Sequence, residues 1–430
     1  MNAPIIPALA APGPALSVQR VTASCGVEAW LVEEHSLPLL ALDFAFDGGA
    51  NRDPTDAAGS VNLISGLLDE GAGDLDAEAF QGRMADHAIS LSFDARRDDF
   101  HGQVQTLSRH RDVAFELLGL AVNAPRFDAD AVSRVKAQVI AGLQRQAQNP
   151  DTLCRNALFS AAFPGHAYGR PERGDVASVG ALQPQALKAL SRDLLSRGGL
   201  KFVAVGDITA AELSDRLDAL FAGLPAGQPR VLPEAALPIA SLGETRIVDL
   251  DVPQTVLRFI GPGMMRHDPD FFAGTVLNHI LGGSAFTSRL FMEVREKRGL
   301  AYGVSSSLMP LRQSGFLIGG TSTRNDRVAE SMTVIRDEIA KLAAEGPSEH
   351  EVEEAKRYII GSYPLRFDTS PKIAAELLGL AVVGFEPEFL AERNRHFAEV
   401  TLADVRRVAA RLFGEGRLLV QAVGRPVGLA

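Results

Sequence analysis

The chain has 430 residues, 46% apolar and 22% charged, a balance that suits two or three globular domains and excludes disordered, collagen-like and coiled-coil architectures. A net charge of −10 with no basic block argues against a nucleic-acid partner, and no apolar run reaches the roughly 18 residues of a membrane span. Cys25 and Cys154 are too few for a disulfide scaffold or a cysteine-built zinc centre. No two of the nine histidines stand at the helical spacing that presents a pair to one metal.

Residues 1–17 are predicted to form a flexible arm. The first charge is Arg20, and the apolar run from Ile5 is short and broken by Pro7. A secretory signal has a basic start and an unbroken apolar segment. A cytoplasmic location is therefore expected, with the remnant of a trimmed export signal, and so a periplasmic location, as the alternative. A first domain is predicted over 18–222. In it, Pro38–Phe46 alternates as a half-buried strand and leads through Gly48-Gly49 and Asp53-Pro54 to a helix. Ile89–Ala95 and Asp99–Gln105 are predicted strands, Arg111–Val122 and Asp128–Gln146 helices, and Lys201–Gly206 a buried strand. Residues 223–243 carry three prolines in their first half and no apolar period, and are predicted to be a linker.

The second domain, 244–430, repeats the first. Pro253–Ile260 is again a strand, followed by Gly261-Pro262-Gly263, Asp268-Pro269 and a helix. Ala273-Gly274-Thr275-Val276 echoes Ala58-Gly59-Ser60-Val61 at an offset of 215 residues, half the chain, which marks an internal duplication. Strands at Tyr302–Met309 and Gly315–Thr321 follow. Helices are predicted around Arg327–Ala344, Glu349–Leu365, Lys372–Val383 and Leu402–Phe413, with Ser348 and Glu351 as a capping box. The expected class is α+β: two homologous halves, each a mostly antiparallel sheet with helices packed on one face.

The stretch Leu281–Tyr302 carries the most chemistry. Gly282-Gly283 makes a turn, a helix follows with Arg295 near its end, Gly299 stops it, and a strand starts at Tyr302. This turn can bring a guanidinium and a phenol to one place, a pair able to hold a peptide carbonyl and stabilise an oxyanion. The plainer reading pairs Arg295 with Glu296 and puts Tyr302 in the core.

Over roughly residues 18–425 the sequence resembles the insulinase-type (M16) metallopeptidases, the family of pitrilysin and mitochondrial processing peptidase. The run Arg295-Glu296-Lys297-Arg298-Gly299-Leu300-Ala301-Tyr302 is similar to the family's second-half signature. The loop Phe163–Pro171 and Asn149-Pro150 match as well. The resemblance implies a duplicated fold whose halves form part of a clamshell around a chamber. It implies that Arg295 and Tyr302 bind the substrate carbonyl and support the tetrahedral intermediate, with Gly282 and Gly283 at the substrate.

The family's zinc motif, His-x-x-Glu-His, falls on Gly59–Leu67. The first histidine is replaced by Asn62, the glutamate by Ser65, the second histidine by Gly66 and the downstream glutamate by Gly142. Glycine has no ligand atom, and asparagine and serine are poor zinc ligands. No metal is expected in this chain. Asp69 and Glu70 read as solvated charges at a helix end, and His166 as a loop residue that orients its turn. The resemblance thus implies a subunit that is inactive alone. It would supply Arg295 and Tyr302 in trans to a zinc-bearing M16 homologue in a heterodimer or larger hetero-oligomer that cleaves peptides, with no nucleic acid or membrane involved. The alternatives are a structural homologue like the core proteins of the bc1 complex and a chamber that holds peptides without cutting them.

Overall fold

The computed structural model describes residues 16–228 and 236–429. Most of the expected arm, and the middle of the expected linker, lie outside these residues. The first half runs β1 (Gln19–Thr22), β2 (Glu28–Glu33), β3 (Leu39–Asp47), α1 (Ser60–Ser65), α2 (Ala77–Asp86), β4 (Ser90–Ala95), β5 (Asp99–Leu107), α3 (Arg111–Asn123), α4 (Ala129–Gln146), α5 (Pro150–Ala162), α6 (Val176–Ala181), α7 (Pro184–Leu194), β6 (Lys201–Gly206) and α8 (Ala210–Phe221). The second runs β7 (Thr245–Val248), β8 (Gln254–Pro262), α9 (Phe271–Asn278), β9 (Ala301–Pro310), β10 (Gly315–Arg324), α10 (Val328–Glu345), α11 (Glu349–Ser362), α12 (Ser370–Val382), α13 (Phe389–Glu399), α14 (Leu402–Phe413) and β11 (Leu419–Val423).

The strands form two sheets, ordered β1-β2-β6-β3-β5-β4 and β7-β11-β8-β10-β9. Setting aside β1, the two orders coincide. In each, one parallel pair (β2 with β6, β7 with β11) sits beside antiparallel ladders. The central strands β3 and β8 begin at Leu39 and Gln254, at the same 215-residue offset as the sequence repeat. Both the α+β class and the duplication are therefore present in the fold.

β3 and β8 are buried on both faces rather than half-buried as their sequences suggested. Leu40, Leu42, Phe44 and Phe46 of β3 face the first half's own helices. Ala41 and Ala45, with Trp30 and Val203, instead meet Leu377, Leu378 and Ala381 of α12 from the second half. The reverse holds on the other sheet: Leu257 and Phe259 face the second half's helices. Ile260, Phe316 and Leu419 pack on Leu158, Phe159 and Ala162 of α5 from the first. Each half thus lends one helix to the outer face of the other's sheet. Pro150 starts α5 at its first turn, where a missing N–H costs nothing, and Asn149 caps it by accepting from the Thr152 amide at 3.1 Å. Burial at this exchange pushes the Cys154 thiol up to about 12; the cysteine is free, with its sulfur 3.3 Å from the Gln421 carbonyl. The end of the expected linker does not hang loose: the Leu237 amide donates to Gln313 and the Ala240 amide to Ala162.

A buried polar cluster joins the halves where the β9–β10 turn meets the first sheet. The Tyr168 hydroxyl lies 2.7 and 2.8 Å from the two Asp98 oxygens. The Arg312 amide and Asn51 Nδ2 also donate to Asp98, at 3.1 and 2.9 Å, and the Gln313 amide donates to the Tyr168 hydroxyl at 3.2 Å. The Arg312 guanidinium pairs with Asp47. His166 Nδ1 accepts the Tyr168 amide at 3.1 Å and so orients this turn as its loop position suggested.

Asp43, on the α12-facing side of β3, is raised to about 6 by burial, which outweighs the attraction of His101 and Arg96. A carboxyl whose folded-state pKa exceeds its unfolded value binds its proton more tightly when folded. Its favourable contribution is full below about pH 4 and is lost as the pH rises through about 6. Asp43→Asn should therefore stabilise the chain at pH 7 by about 1–3 kcal/mol and change little at pH 4, a difference read from denaturant midpoints at the two pH values.

Candidate functional site

Two π-helical turns, residues 279–283 and 291–296, wind the segment before β9 more widely than the α-helix its sequence predicted. A Cβ at Gly282 would lie 2.7 Å from the Ser306 amide, so only glycine lets the first turn rest on β9. Gly299, three residues past the second turn, takes φ +58°. Its amide donates to the Arg295 carbonyl, and the Leu300 amide to that of Val294, both at 2.9 Å. These bonds reverse the chain into β9.

At its start β9 carries a bulge. Thr321 pairs with Val304 and Thr323 with Ala301, so Tyr302 and Gly303 together oppose the single residue Ser322. A bulge of this kind re-aims a side chain. Thr321 Oγ1 donates to the displaced Gly303 carbonyl at 2.8 Å. Tyr302 is thereby turned outward and is 86% exposed, which overturns the reading of it as core. The Arg295 guanidinium lies over its ring, 4.5 Å from the centroid, and 4.9 Å from that of Phe291. Arg295 Nε also stands 3.6 Å from Glu296, so the expected pairing coexists with the stack. The nearby Glu293 is occupied by Lys297 and Arg298, both at 2.5 Å. Phe286, 71% exposed, meets Phe291 edge-on. β9 is the last strand of its sheet, so its outer edge is unpaired among the described residues. The arrangement can present a guanidinium and a phenol side by side to a carbonyl lying along that edge.

The four zinc-motif positions lie in the first half, on or at the end of α1 and on α4. Asp53 fixes the start of α1 by accepting from the Gly59 and Val61 amides at 2.7 and 2.8 Å. Asn62 and Ser65 sit on this helix, and the Ser65 hydroxyl donates back to the Asn62 carbonyl at 2.8 Å. Gly66 ends it against α4, where a Cβ would come within 3.2 Å of Val135; at Gly142 further along α4 a Cβ would meet nothing within 4 Å. Val135 thus fills part of the room a second histidine would need. Asp69 and Glu70 are not simply solvated. Glu70 takes Arg134 of α4 in a two-pronged bond at 3.0 and 2.5 Å, and burial pushes the Asp69 carboxyl up beside Gln81. His87 stacks on His110, and His101 meets Asp99. Among the described residues no group of three or more His, Cys, Asp or Glu side chains is placed to hold a metal, and the donor set left at the motif does not fit zinc.

A family model described as "Peptidase M16 inactive domain" matches residues 181–359. A crystal structure of a peptidase M16 inactive domain from Pseudomonas fluorescens aligns over 96% of this chain and 99% of its own, with a TM-score of 0.89 and 27% identity. The chain is similar to M16 inactive domains over nearly its whole length. A "Non-peptidase homolog YmxG" from Helicobacter pylori is 25% identical to it over 78% of each chain. An "Uncharacterized zinc protease YmxG" from Bacillus subtilis is 25% identical over 72% of this chain and 75% of its own. The residues at the motif, Asn62, Ser65, Gly66 and Gly142, do not form the family's zinc ligand set. No helix among the described residues is long and apolar enough to cross a membrane.

Proposed function

We propose that this chain is the non-zinc subunit of a heteromeric M16 metallopeptidase and supplies Arg295 and Tyr302 to the active site of a zinc-bearing homologue. The observation that carries this reading is the Arg295–Tyr302 stack, held by a π turn and a β-bulge on an open sheet edge, in a chain whose own zinc motif is gone. The partner's zinc would polarise the peptide carbonyl and activate water. The phenol and guanidinium would bind that carbonyl and the oxyanion formed from it. We also read 18–222 and 244–430 as the two structural units and unfolded peptides as the substrate. A cytoplasmic location fits this reading.

The "Non-peptidase homolog" name of the Helicobacter relative favours a second reading, a homologue with no part in catalysis. The stack weighs against it, because a scaffold has no use for a guanidinium laid on an exposed phenol. The test uses the purified chain alone and mixed with a zinc-bearing M16 homologue from the same organism, against an unstructured peptide. Cleavage is expected only in the mixture and is expected to stop with chelator. Cleavage by the chelated chain alone, or a mixture no faster than the zinc subunit alone, would refute the proposal.

A further inference from the structure

A second polar feature lies away from the Arg295–Tyr302 pair. A cavity of about 520 Å³ opens where the loop after β8, the turn before α12 and helix α13 meet. Three arginines line it: Arg266, Arg366 and Arg393. Its single carboxylate is Glu376, 3.4 Å from Arg366. Neither Arg266 nor Arg393 has a carboxylate within 4.0 Å among the described residues, whereas Arg289, Arg312 and Arg411 elsewhere in the same half are each paired.

Aromatic faces hold these two guanidiniums instead, and Arg393 also donates to Asn394 Oδ1 at 3.1 Å. Arg393 lies 3.6 Å from the Tyr363 centroid and 4.6 Å from that of Phe397, and Arg266 lies 4.3 Å from Phe271 and 4.9 Å from Phe385. Such stacking fixes the planes of the guanidiniums but neutralises no charge. Burial, with the repulsion of Arg366 and Arg266, brings Arg393 down to about 10, and burial lowers Arg266 as well. Three guanidiniums against one carboxylate leave a surplus of two positive charges in a partly enclosed space. A phosphomonoester carries close to two negative charges at neutral pH and accepts the forked bonds of arginine. The cavity is larger than phosphate needs, and falls in the range of pockets for small organic ligands. Phe271, Leu308, Leu380 and Phe397 give it an apolar wall.

We propose that this cavity binds a small organic phosphate, with Arg266 and Arg393 gripping the phosphate and the apolar wall holding the organic group. Isothermal titration of the full chain with phenyl phosphate, inorganic phosphate and benzoate tests it. Phenyl phosphate is expected to bind at least about tenfold more tightly than either of the others, because only it carries both the double charge and the ring. Arg393→Gln is expected to weaken it by a further factor of about ten. Arg366→Gln, at a more exposed position, serves if the first variant does not fold, and should weaken binding several-fold. Equal affinities for the three probes, no binding of phenyl phosphate at millimolar concentration, or unchanged affinity in a folded arginine variant would each overturn the proposal. None of these outcomes bears on the proposed peptidase role.

Discussion

Tyr302→Phe is expected to lower peptide turnover by the mixed complex about 10²–10³-fold, the scale for one lost oxyanion donor. The phenylalanine ring still offers Arg295 its stacking surface 4.5 Å away, and at 86% exposure the hydroxyl makes no contribution to a core. Folding and complex assembly should therefore be untouched. The loss should fall on kcat, with KM nearly constant, because the hydroxyl acts on charge that develops only in the transition state. Steady-state kinetics at a fixed subunit ratio, with assembly checked by size-exclusion chromatography, decide the matter. Unchanged kcat in an intact complex would return Tyr302 to an ordinary surface residue.

Asp98→Ala is expected to destabilise the chain by about 3–5 kcal/mol, the range for removing one partner from a buried charged network. It strips the Tyr168 hydroxyl, the Arg312 amide and Asn51 Nδ2 of their shared acceptor. Tyr168→Phe removes one hydroxyl and leaves Asp98 its other donors, so its cost should be about 1–3 kcal/mol. Because α5 and α12 still cover each other's sheets, unfolding should remain a single denaturant transition at a lower midpoint. A midpoint within error of the parent's would show that the cluster contributes nothing net.

Local patterns carried much of this fold. The boundaries of the helix Leu402–Phe413 and the strand Lys201–Gly206 were readable because their apolar periods are clean, and the Ser348–Glu351 capping box is present at α11. The repeat was legible because both halves keep the same strand, glycine turn and Asp-Pro order. The partners of the shared faces were not legible. Ala41 and Ala45 gave no hint that α12, more than 300 residues on, would cover them. Arg295 and Tyr302 could be brought together on paper from the Gly299 stop. The bulge that turns Tyr302 outward left no signal beyond Gly303. Arg266, Arg366 and Arg393 are scattered along the sequence and converge only through the packing of α13 beside the loop after β8. Asp98 and Tyr168 likewise share a site only because of tertiary contacts.

The exchange of α5 and α12 has a mechanical consequence. Each sheet is roofed by a helix that belongs to the opposite half, so swinging the halves apart would bare Ile260, Phe316 and Leu419 on one side and Trp30, Ala41 and Val203 on the other. A hinge between the halves is thus locked by apolar surface that water would have to wet. The two halves are therefore expected to move as one rigid unit. In the proposed complex, any opening that admits a peptide would lie between this chain and its partner, and the freedom to open or shut would belong to the assembly.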